Sequence, residues 1–470
     1  MHSNALEIIA DRFEDSKDRT FFTAVDDHDY TYGDLLYNAQ KLAEEWKNKG
    51  LKPGDKIAFI LSNSFAVICC YFSCAIGGFV ACPIVDTLHK NTIGYILDSM
   101  KPALVLHDPP AIHKDCKETG SFVLKAGLDS PFLVMFTAGS TGKPKAICHS
   151  FRSVVGCAHA FACLTGMSDK TLIYHVLPMT YMAGFLNSML SPFTAGASIV
   201  EGPLFSPAMA VEFWPRPLGR SVNTLSIIPT IASALCRLTR DSETIEAVKS
   251  QITQVQCTSA PIQKALRQRF KNMFSIPLQD CYGITELGGP LSCQNKDDAE
   301  ADIDFSVPLP EIEVAIRKES ELWIKSPFSM MGYLEDGKFV SPFDKDGFMN
   351  TGDMASQVNG KIEITGRKKD VIIRGGINVS PTRVESVLSL MSGIEEVAVI
   401  GCPHDFWGED ITACVISDND TADFKSKVVQ YCKASLGQHE RPDRIVFIKE
   451  FPRSFIGKVK KNALKETLEK

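Results

Sequence analysis

The stretch Phe136–Lys145 carries residue types that bind phosphate. Its glycines let a backbone approach an anion closely, while its hydroxyls and lysines can donate hydrogen bonds and compensate charge. The stretch is not a Walker loop, because Pro144 follows Lys143 where that motif requires Ser or Thr. Taken alone, it is equally typical of an ordinary surface loop rich in Gly, Ser and Thr. The rest of the chain must decide between these readings.

A second group of chemistry-bearing residues lies in Asp280–Glu286, directly after a strand-like segment. Tyr282 could stack on a base, and Thr285 could bind a phosphate group. Glu286 could hold a hard cation such as Mg²⁺. An isolated Thr-Glu pair would more often cap a helix, and an isolated Tyr would more often belong to the core. The functional interpretation of these residues therefore depends on the other segments that accompany them in the chain.

Three segments further along complete the set. Asn350–Asp353 predicts a turn whose carboxylate suits a ribose diol. Gly366–Pro381 combines a charged hinge with a Gly-Gly pair, and Pro452–Lys458 places a lysine after a glycine near the C-terminus. Each has a structural alternative, since Thr-Gly-Asp is commonly a simple turn and the lysine could belong to a basic tail.

Strands that alternate with helices should position these residues. No charged residue occurs from Ile57 to Val85, a length that could span a bilayer, but Ser, Asn, Gly-Gly and Pro divide it into strand, helix and strand. That pattern predicts a buried βαβ unit with parallel strands. The alternation continues to about Lys271, whereas short strands after Glu311 predict an antiparallel or barrel-like unit.

Length and composition set the remaining limits. A chain of 470 residues is too long to fold around a single hydrophobic core. We therefore expect an N-terminal domain over 1–366, a hinge over 367–370 and a C-terminal domain over 371–470. The net charge of −6 lacks the basic footprint of nucleic-acid binding. The 15 cysteines show no metal spacing, and Met1–Ile9 does not resemble a signal peptide. These features predict a reduced, cytoplasmic protein without a transmembrane segment.

Taken in order, the segments resemble the adenylate-forming (ANL) superfamily of acyl-CoA synthetases, peptide-synthetase adenylation domains and luciferases. The resemblance runs over nearly the whole chain, from Tyr30–Leu35 to the last helix. It implies an α/β fold, with a large N-terminal domain of βαβ-type parallel sheets and a small barrel-like β subdomain. A small mobile α+β C-terminal domain would follow.

The resemblance also implies an activity. Such enzymes use ATP and Mg²⁺ to activate a carboxylic acid as an acyl-adenylate and release pyrophosphate. They then transfer the acyl group to a thiol, either coenzyme A or the pantetheine of an acyl-carrier protein. This chain would accordingly be an AMP-forming acid–thiol ligase.

The site residues follow from the same resemblance, motif by motif. It assigns nucleotide binding to Thr137, Ser140, Thr141, Gly142, Lys143, Lys145, Ser259, Ala260, Pro261, Tyr282, Gly283, Asp353 and Arg367. It assigns catalysis to Lys458, Thr285 and Glu286, with Glu286 as the Mg²⁺ ligand; the hinge to Lys369; the acyl pocket to Tyr181 and Gly184; and coenzyme A binding to Gly375 and Gly376. Ala138 and Ala146 depart from the family's loop.

The substrate stays open at this stage. Between Thr171 and Val200 there is no acidic residue, and His175 is the sole basic one, which favours an uncharged acyl chain. The leading hypothesis is an acyl-CoA synthetase acting on a small-molecule acid. The alternatives are an enzyme that loads a carrier protein and a catalytically silent nucleotide-binding module.

Overall fold

The computed structural model describes residues 5–116, 120–137, 144–206, 208–335, 337–454 and 458–468. The α-helices in these ranges are α1 Ala5–Asp15, α2 Tyr32–Asn48, α3 Phe65–Gly77, α4 Lys90–Met100, α5 Phe151–Thr165, α6 Ser191–Ala195, α7 Pro215–Gly219, α8 Pro229–Leu238, α9 Ser242–Gln251, α10 Lys264–Phe274, α11 Lys296–Glu300, α12 Pro381–Leu388, α13 Ala422–Ser435 and α14 Lys461–Leu468. A π-helix spans Ala183–Leu190.

The strands in the first half are β1 Thr20–Thr23, β2 Asp29–Thr31, β3 Lys56–Phe59, β4 Val80–Pro83, β5 Leu104–Leu106, β6 Pro131–Thr137, β7 Lys145–Ser150, β8 Leu172–His175, β9 Ser198–Glu201, β10 Thr224–Ile227, β11 Gln254–Thr258, β12 Leu278–Ile284 and β13 Gly289–Cys293. Those in the second half are β14 Val307–Pro308, β15 Glu313–Ile316, β16 Glu321–Lys325, β17 Gly332–Glu335, β18 Lys338–Val340, β19 Met349–Val358, β20 Lys361–Arg367, β21 Ile372–Arg374, β22 Ile377–Val379, β23 Glu396–His404, β24 Gly408–Ile416 and β25 Arg444–Phe447.

Two large sheets form most of the N-terminal part. A nine-stranded sheet has the order β14-β13-β12-β11-β10-β8-β9-β1-β2, and a seven-stranded sheet has the order β18-β17-β7-β6-β4-β3-β5. The uncharged stretch folds as expected, because β3 and β4 pair in parallel on either side of α3. Eleven of the thirteen residues of α3 are buried, which explains why its sequence carries no polar face.

The small β unit is a four-stranded antiparallel sheet in the order β15-β16-β19-β20. Here the expectation for Asn350–Asp353 was wrong, since these residues lie within β19 rather than in a turn. Gly352 has a φ of 75°, and the β16–β19 register shifts here, with Trp323 opposite Asn350 but Glu321 opposite Met354. The bulge that this shift creates gives a short stretch of strand the composition of a turn.

The C-terminal part has a five-stranded sheet, with β22-β21-β24-β23 in order and β25 beside β24. Its main hydrophobic cluster draws only on residues from Ile372 to Leu436 and Ile445, separate from the clusters of the two large sheets. Among the contacts between the two parts, Gln263 Nε2 donates to the backbone oxygen of Val397 at 2.9 Å. Within the described ranges, no helix is long and apolar enough to cross a bilayer.

Candidate active site

A tyrosine, an aspartate and an arginine from two sheets meet at the centre of the site. The Tyr282 hydroxyl, at the end of β12, donates to Asp353 Oδ2 at 2.5 Å. Arg367 lies opposite Asp353 in the β19–β20 register, and its Nε is 3.0 Å from Asp353 Oδ1. Burial and the neighbouring Asp353 carboxylate raise the pKa of Tyr282 well above its ordinary value, so the hydroxyl remains a donor at neutral pH. The three residues thus join the nine-stranded sheet to the small antiparallel sheet.

Two carbonyl oxygens of the Thr285–Leu287 turn accept hydrogen bonds from other parts of the chain. His149 Nε2 is 2.7 Å from the oxygen of Thr285, and the Met330 amide donates to the oxygen of Glu286 at 2.8 Å. Burial lowers the pKa of His149 to about 4, although the bond to Thr285 opposes the shift. The ring is therefore neutral at pH 7, and because its partner is a carbonyl, Nε2 must carry the proton.

Tyr333 links the metal-ligand candidate to the phosphate-loop lysine. Its hydroxyl donates to Glu286 Oε1 at 3.1 Å, and Lys145 Nζ lies 4.8 Å from the centre of its ring. It reaches this position because β17 pairs with β7, which starts at Lys145. Tyr333 is not among the site residues predicted from the sequence. The signal was the Met-Gly-Tyr segment at 331–333, but strand pairing between β17 and β7 is not legible from one sequence.

The adenine-side candidates follow β11. Since β11 and β12 pair in parallel with Thr258 opposite Cys281, the turn Ser259–Pro261 leaves the sheet beside Tyr282. Ser259 adopts a left-handed conformation with φ of 75°. A Cβ at position 283 would lie 2.3 Å from the carbonyl oxygen of Gly289, so a glycine is required there.

The acyl-pocket candidates lie at the start of the π-helix. The half-buried Tyr181 has its pKa raised by burial, lowered by Arg367 and raised by Glu286, so its hydroxyl shares the electrostatic environment of the central residues. A Cβ at Gly184 would lie 2.0 Å from the carbonyl oxygen of Pro178. This close backbone approach explains the glycine.

Lys458 brings a cation from the C-terminal part to the same place. Burial and Arg367 lower its pKa to about 8, while Asp353 and Asp370 act to raise it and Lys369 acts to lower it. Lys458 is half-buried, and its ammonium group interacts electrostatically with Arg367 and Asp353 of the Tyr282–Asp353–Arg367 cluster. Two parts of the chain with separate cores therefore contribute to one site.

Three candidates lie outside this cluster. Lys369 is exposed on the short turn Lys368–Asp370, next to Lys368, which pairs with Glu319 at 3.1 Å and with Glu321. Gly375 and Gly376 form the exposed turn between β21 and β22, with φ values of 57° and 82°. Among the described residues, no hydrogen bond or ion pair joins this turn to the central cluster.

Part of the phosphate loop lies outside the described residues. Ala138, Ser140, Thr141, Gly142 and Lys143 lie outside the described residues. Its two ends are described: Thr137 pairs with Lys145 where β6 and β7 begin to separate. Ala146 follows in β7 and is buried.

The residues present fit a Mg²⁺ ion bound together with a nucleotide. Among the described residues, no group of three or more His, Cys, Asp or Glu side chains could hold a metal by itself. Glu286 supplies one half-buried carboxylate beside Thr285. Mg²⁺ in nucleotide-using enzymes is bound by one or two carboxylates and by substrate phosphates, and not by an all-protein cage.

Comparison with known proteins decides the family. Residues 9–126 and 121–334 match the model of the AMP-binding enzymes, and residues 383–458 match the AMP-binding enzyme C-terminal domain. The chain belongs to the AMP-binding enzyme family. The family match, together with the relatives below, confirms the expected superfamily and the expected class, an AMP-forming acid–thiol ligase.

Individual relatives of this AMP-binding enzyme are distant. A long-chain-fatty-acid–CoA ligase of Mycobacterium tuberculosis is 26% identical over 93% of this chain and 92% of its own length. The mitochondrial malonate–CoA ligase of Mus musculus is 26% identical over 93% of this chain and 87% of its own. ATP-bound MatB from Rhodopseudomonas palustris, 22% identical, superposes with a TM-score of 0.86 and 99% coverage of both chains, which confirms the fold.

Proposed function

We propose that this AMP-binding enzyme is an acyl-CoA synthetase, which activates a carboxylic acid with Mg-ATP and transfers the acyl group to coenzyme A. The observation that carries the proposal is the Tyr282–Asp353–Arg367 cluster, with which the half-buried Lys458 interacts electrostatically through Asp353 and Arg367. A silent nucleotide-binding module would not need a partly desolvated lysine delivered from the C-terminal part. The two curated relatives described above are both CoA ligases by name.

The nucleoside would be held by the central residues. Asp353 has carboxylate oxygens to which the ribose hydroxyls can donate, and Arg367 holds the carboxylate in orientation. Tyr282 and the Ser259–Pro261 turn would border the adenine ring. Because the Tyr282 hydroxyl is already bonded to Asp353, the phenol ring is held in one orientation before the nucleotide binds.

The first half-reaction joins the acid to the α-phosphate. A carboxylate oxygen of the acid forms a bond to the α-phosphorus, the bond to the bridging oxygen breaks, and pyrophosphate leaves. Lys458 would stabilise the negative charge that builds up on the α-phosphate oxygens. Thr285 would donate to a phosphate oxygen, and Lys145 would compensate charge on the departing pyrophosphate. Mg²⁺, held by Glu286 and the phosphates, would neutralise further charge on that leaving group.

The second half-reaction makes the thioester. The thiolate of coenzyme A adds to the carbonyl carbon of the acyl-adenylate, and AMP leaves with the bonding electrons of the carbon–oxygen bond. We place the domain boundaries at 1–366 and 371–470, with rotation about Lys369 within the 367–370 hinge. That rotation would withdraw Lys458 and bring in the turn Gly375–Gly376, whose lack of side chains permits close approach of a ligand.

An exchange experiment tests the proposal directly. Labelled pyrophosphate should enter ATP only when a suitable carboxylic acid is present, and adding coenzyme A should convert ATP to AMP. The same acid should then be offered with free coenzyme A and with a pantetheinylated carrier protein. Faster AMP formation with free coenzyme A supports the synthetase. No exchange with any aliphatic or aromatic acid would refute the adenylation step, and use of the carrier alone would refute the choice of acceptor.

A further inference from the structure

Helices α8 and α10 cover one face of the nine-stranded sheet, which we call the outer face. A row of polar side chains crosses the opposite, inner face. In β11, Val255 and Cys257 pack into the hydrophobic cluster on the outer face, so Gln256 between them lies on the inner face. The register places Ser226 of β10 directly beside Gln256. Pairing of β10 with β8 continues the row to His175. A sheet interior normally carries apolar residues at such positions.

All three side chains carry polar atoms without a partner. His175, Ser226 and Gln256 are each 0% exposed. Among the described residues, no hydrogen-bond partner is present for His175 Nδ1, for Ser226 Oγ or for either amide atom of Gln256. Buried polar atoms in folded proteins are nearly always paired, and an unpaired group calls for an explanation such as a ligand.

A second row of buried polar side chains lies on the π-helix and at the first residue of α6. Asn187, Ser188 and Ser191 are at most 2% exposed, and among the described residues Asn187 Oδ1, Ser188 Oγ and Ser191 Oγ have no hydrogen-bond partner. Phe185, on the same π-helix, packs against Tyr71 at 4.5 Å between ring centroids.

The π-helix and the sheet are in contact. The helix packs against β8 and β13 of the nine-stranded sheet, and His175 Nε2 lies 3.1 Å from the carbonyl oxygen of Gly184. We name the six residues of the two rows the buried polar layer: His175, Asn187, Ser188, Ser191, Ser226 and Gln256. The layer begins at Gly184, next to Tyr181, where the acyl group would enter.

The chemistry of the layer selects its ligand. None of the six side chains is charged at neutral pH, since burial lowers the pKa of His175 to about 4. Because His175 Nε2 donates to a carbonyl, Nδ1 is a bare acceptor that needs a donor. Gln256 offers both an amide donor and a carbonyl acceptor. An oxygen that can donate and accept, such as a hydroxyl, matches this set better than a carboxylate or a hydrocarbon.

We propose that the acyl group activated by this enzyme carries an uncharged hydrogen-bonding function, a hydroxyl, which the buried polar layer binds. The inference rests on the proposed synthetase activity and adds the substrate class to it. A site built to bond a hydroxyl discriminates strongly against the analogue that lacks it, because its own polar groups would otherwise stay unpaired.

Matched pairs of acids provide the test. Pyrophosphate exchange is measured with hexanoic acid against 6-hydroxyhexanoic and 5-oxohexanoic acids, and with 3-phenylpropanoic acid against its 4-hydroxyphenyl analogue. Adipic acid supplies a charged tail of similar length. We expect at least one hydroxy acid to exceed its apolar partner in kcat/KM by tenfold or more, 5-oxohexanoic acid, whose carbonyl can only accept, to gain less, and adipic acid to be a poor substrate.

Variants connect the preference to the layer. Gln256→Met keeps the volume but removes both polar atoms, and Ser226→Ala is a milder change in case the first fails to fold. Each should reduce the preference for the oxygenated acid about tenfold while raising Tm without substrate, since an unpartnered polar group has been removed. Cys257→Ala, next to Gln256 but on the outer face, should leave the preference unchanged.

The outcomes separate this inference from the proposed function. Equal or faster exchange with the apolar acids, or with adipic acid, overturns the inference and leaves the synthetase intact. So does a preference that Gln256→Met and Ser226→Ala both leave unchanged, because the layer would then hold internal water only. Exchange with no acid at all overturns the proposed function and this inference with it.

Discussion

His149 is hydrogen-bonded through Nε2 to the carbonyl oxygen of Thr285 at 2.7 Å, although the two residues are 136 positions apart. The ring is 0% exposed and lies at the end of β7, beyond the phosphate loop. The bond therefore ties the strand that carries Lys145 to the turn that carries Thr285 and Glu286. Two groups that would act on the same phosphates are held in a fixed relation.

We expect His149→Leu to disturb that relation. Loss of the donor leaves the Thr285 oxygen with the Gly288 amide as its remaining partner, so the change should cost on the order of 1 kcal/mol of stability. The turn should also shift enough to lower kcat/KM for Mg-ATP by about tenfold or more. His149→Gln, whose amide can donate at similar reach, should recover most of the activity, and His159→Leu on α5 serves as the control. A lower Tm with unchanged kcat/KM would show that the bond is structural only.

Tyr333→Phe should weaken the response to Mg²⁺. The change removes the hydroxyl that donates to Glu286 at 3.1 Å but keeps the ring beneath Lys145. Loss of a residue that orients a metal ligand costs about 10–100-fold in metal affinity, and the partial exposure here points to the lower end. The measurement is the Mg²⁺ concentration for half-maximal exchange at fixed ATP.

A second substitution at this position separates the two contacts. Tyr333→Leu removes the ring as well, so the KM for ATP should rise in addition to the Mg²⁺ requirement. Tyr37→Phe on α2 is the control. An identical Mg²⁺ requirement in wild type and Tyr333→Phe would contradict the role we give to the hydroxyl.

Local signals made much of the fold predictable from sequence. The Thr31–Asp34 capping box at the start of α2 has a local sequence signature, and the uncharged stretch from Ile57 divides into β3, α3 and β4, as its Gly and Pro residues indicated. Both patterns depend on neighbours in sequence. Contacts across the chain were different, since Tyr333 and His149 act through strand pairing and burial that leave no local trace.

The same limit explains the errors and surprises. A turn was expected at Asn350–Asp353 because a strand bulge and a turn use the same residues. Nothing local in the sequence indicates that Ala183–Leu190 forms a π-helix. The assignments of Lys369, Gly375 and Gly376 stay predictions, because their roles belong to a different arrangement of the two domains.

Lys458→Ala should separate the two half-reactions. Acid-dependent pyrophosphate exchange should fall by at least 10²-fold, because the charge that stabilises the α-phosphate is lost. Thioester formation from a synthetic acyl-adenylate and coenzyme A should continue at nearly the wild-type rate. Lys460→Ala, the exposed neighbour two residues on, is the matched control. Equal losses in both half-reactions would assign Lys458 a structural role instead.

The pH profile offers an independent check on Lys458. Its pKa is lowered to about 8, chiefly by burial and by Arg367, so the ammonium form is complete below that pH and is lost above it. Exchange measured as kcat/KM should therefore decline as pH rises through about 8, while the thioester step from synthetic acyl-adenylate should lack this decline. Arg has a pKa far above that range, so Lys458→Arg, if active, should move the decline to higher pH. A profile that is flat from pH 7 to 10 in the wild type would exclude a titrating Lys458.

Glu201 should make the protein less stable as pH rises. It is 3% exposed at the end of β9, where the Val25 amide donates to Oε2 at 3.2 Å and Arg216 Nε donates to its backbone oxygen. Burial raises its pKa to about 7, the Val25 bond and Arg216 oppose the shift, and Asp26 adds to it. The folded state thus keeps a proton that the unfolded chain releases near pH 4.5, so the free energy of unfolding falls as pH rises from about 4.5 to 7.

Glu201→Gln removes that titration while keeping an acceptor for the Val25 amide. The variant should be more stable than wild type by about 1–3 kcal/mol at pH 8, and the difference should nearly vanish at pH 4.5, where the wild-type side chain is protonated in the folded state. Urea unfolding at both pH values measures it, with Glu212→Gln, an exposed glutamate, as the control. A difference that is the same at pH 8 and pH 4.5 would mean that Glu201 is not protonated in the folded protein near neutral pH.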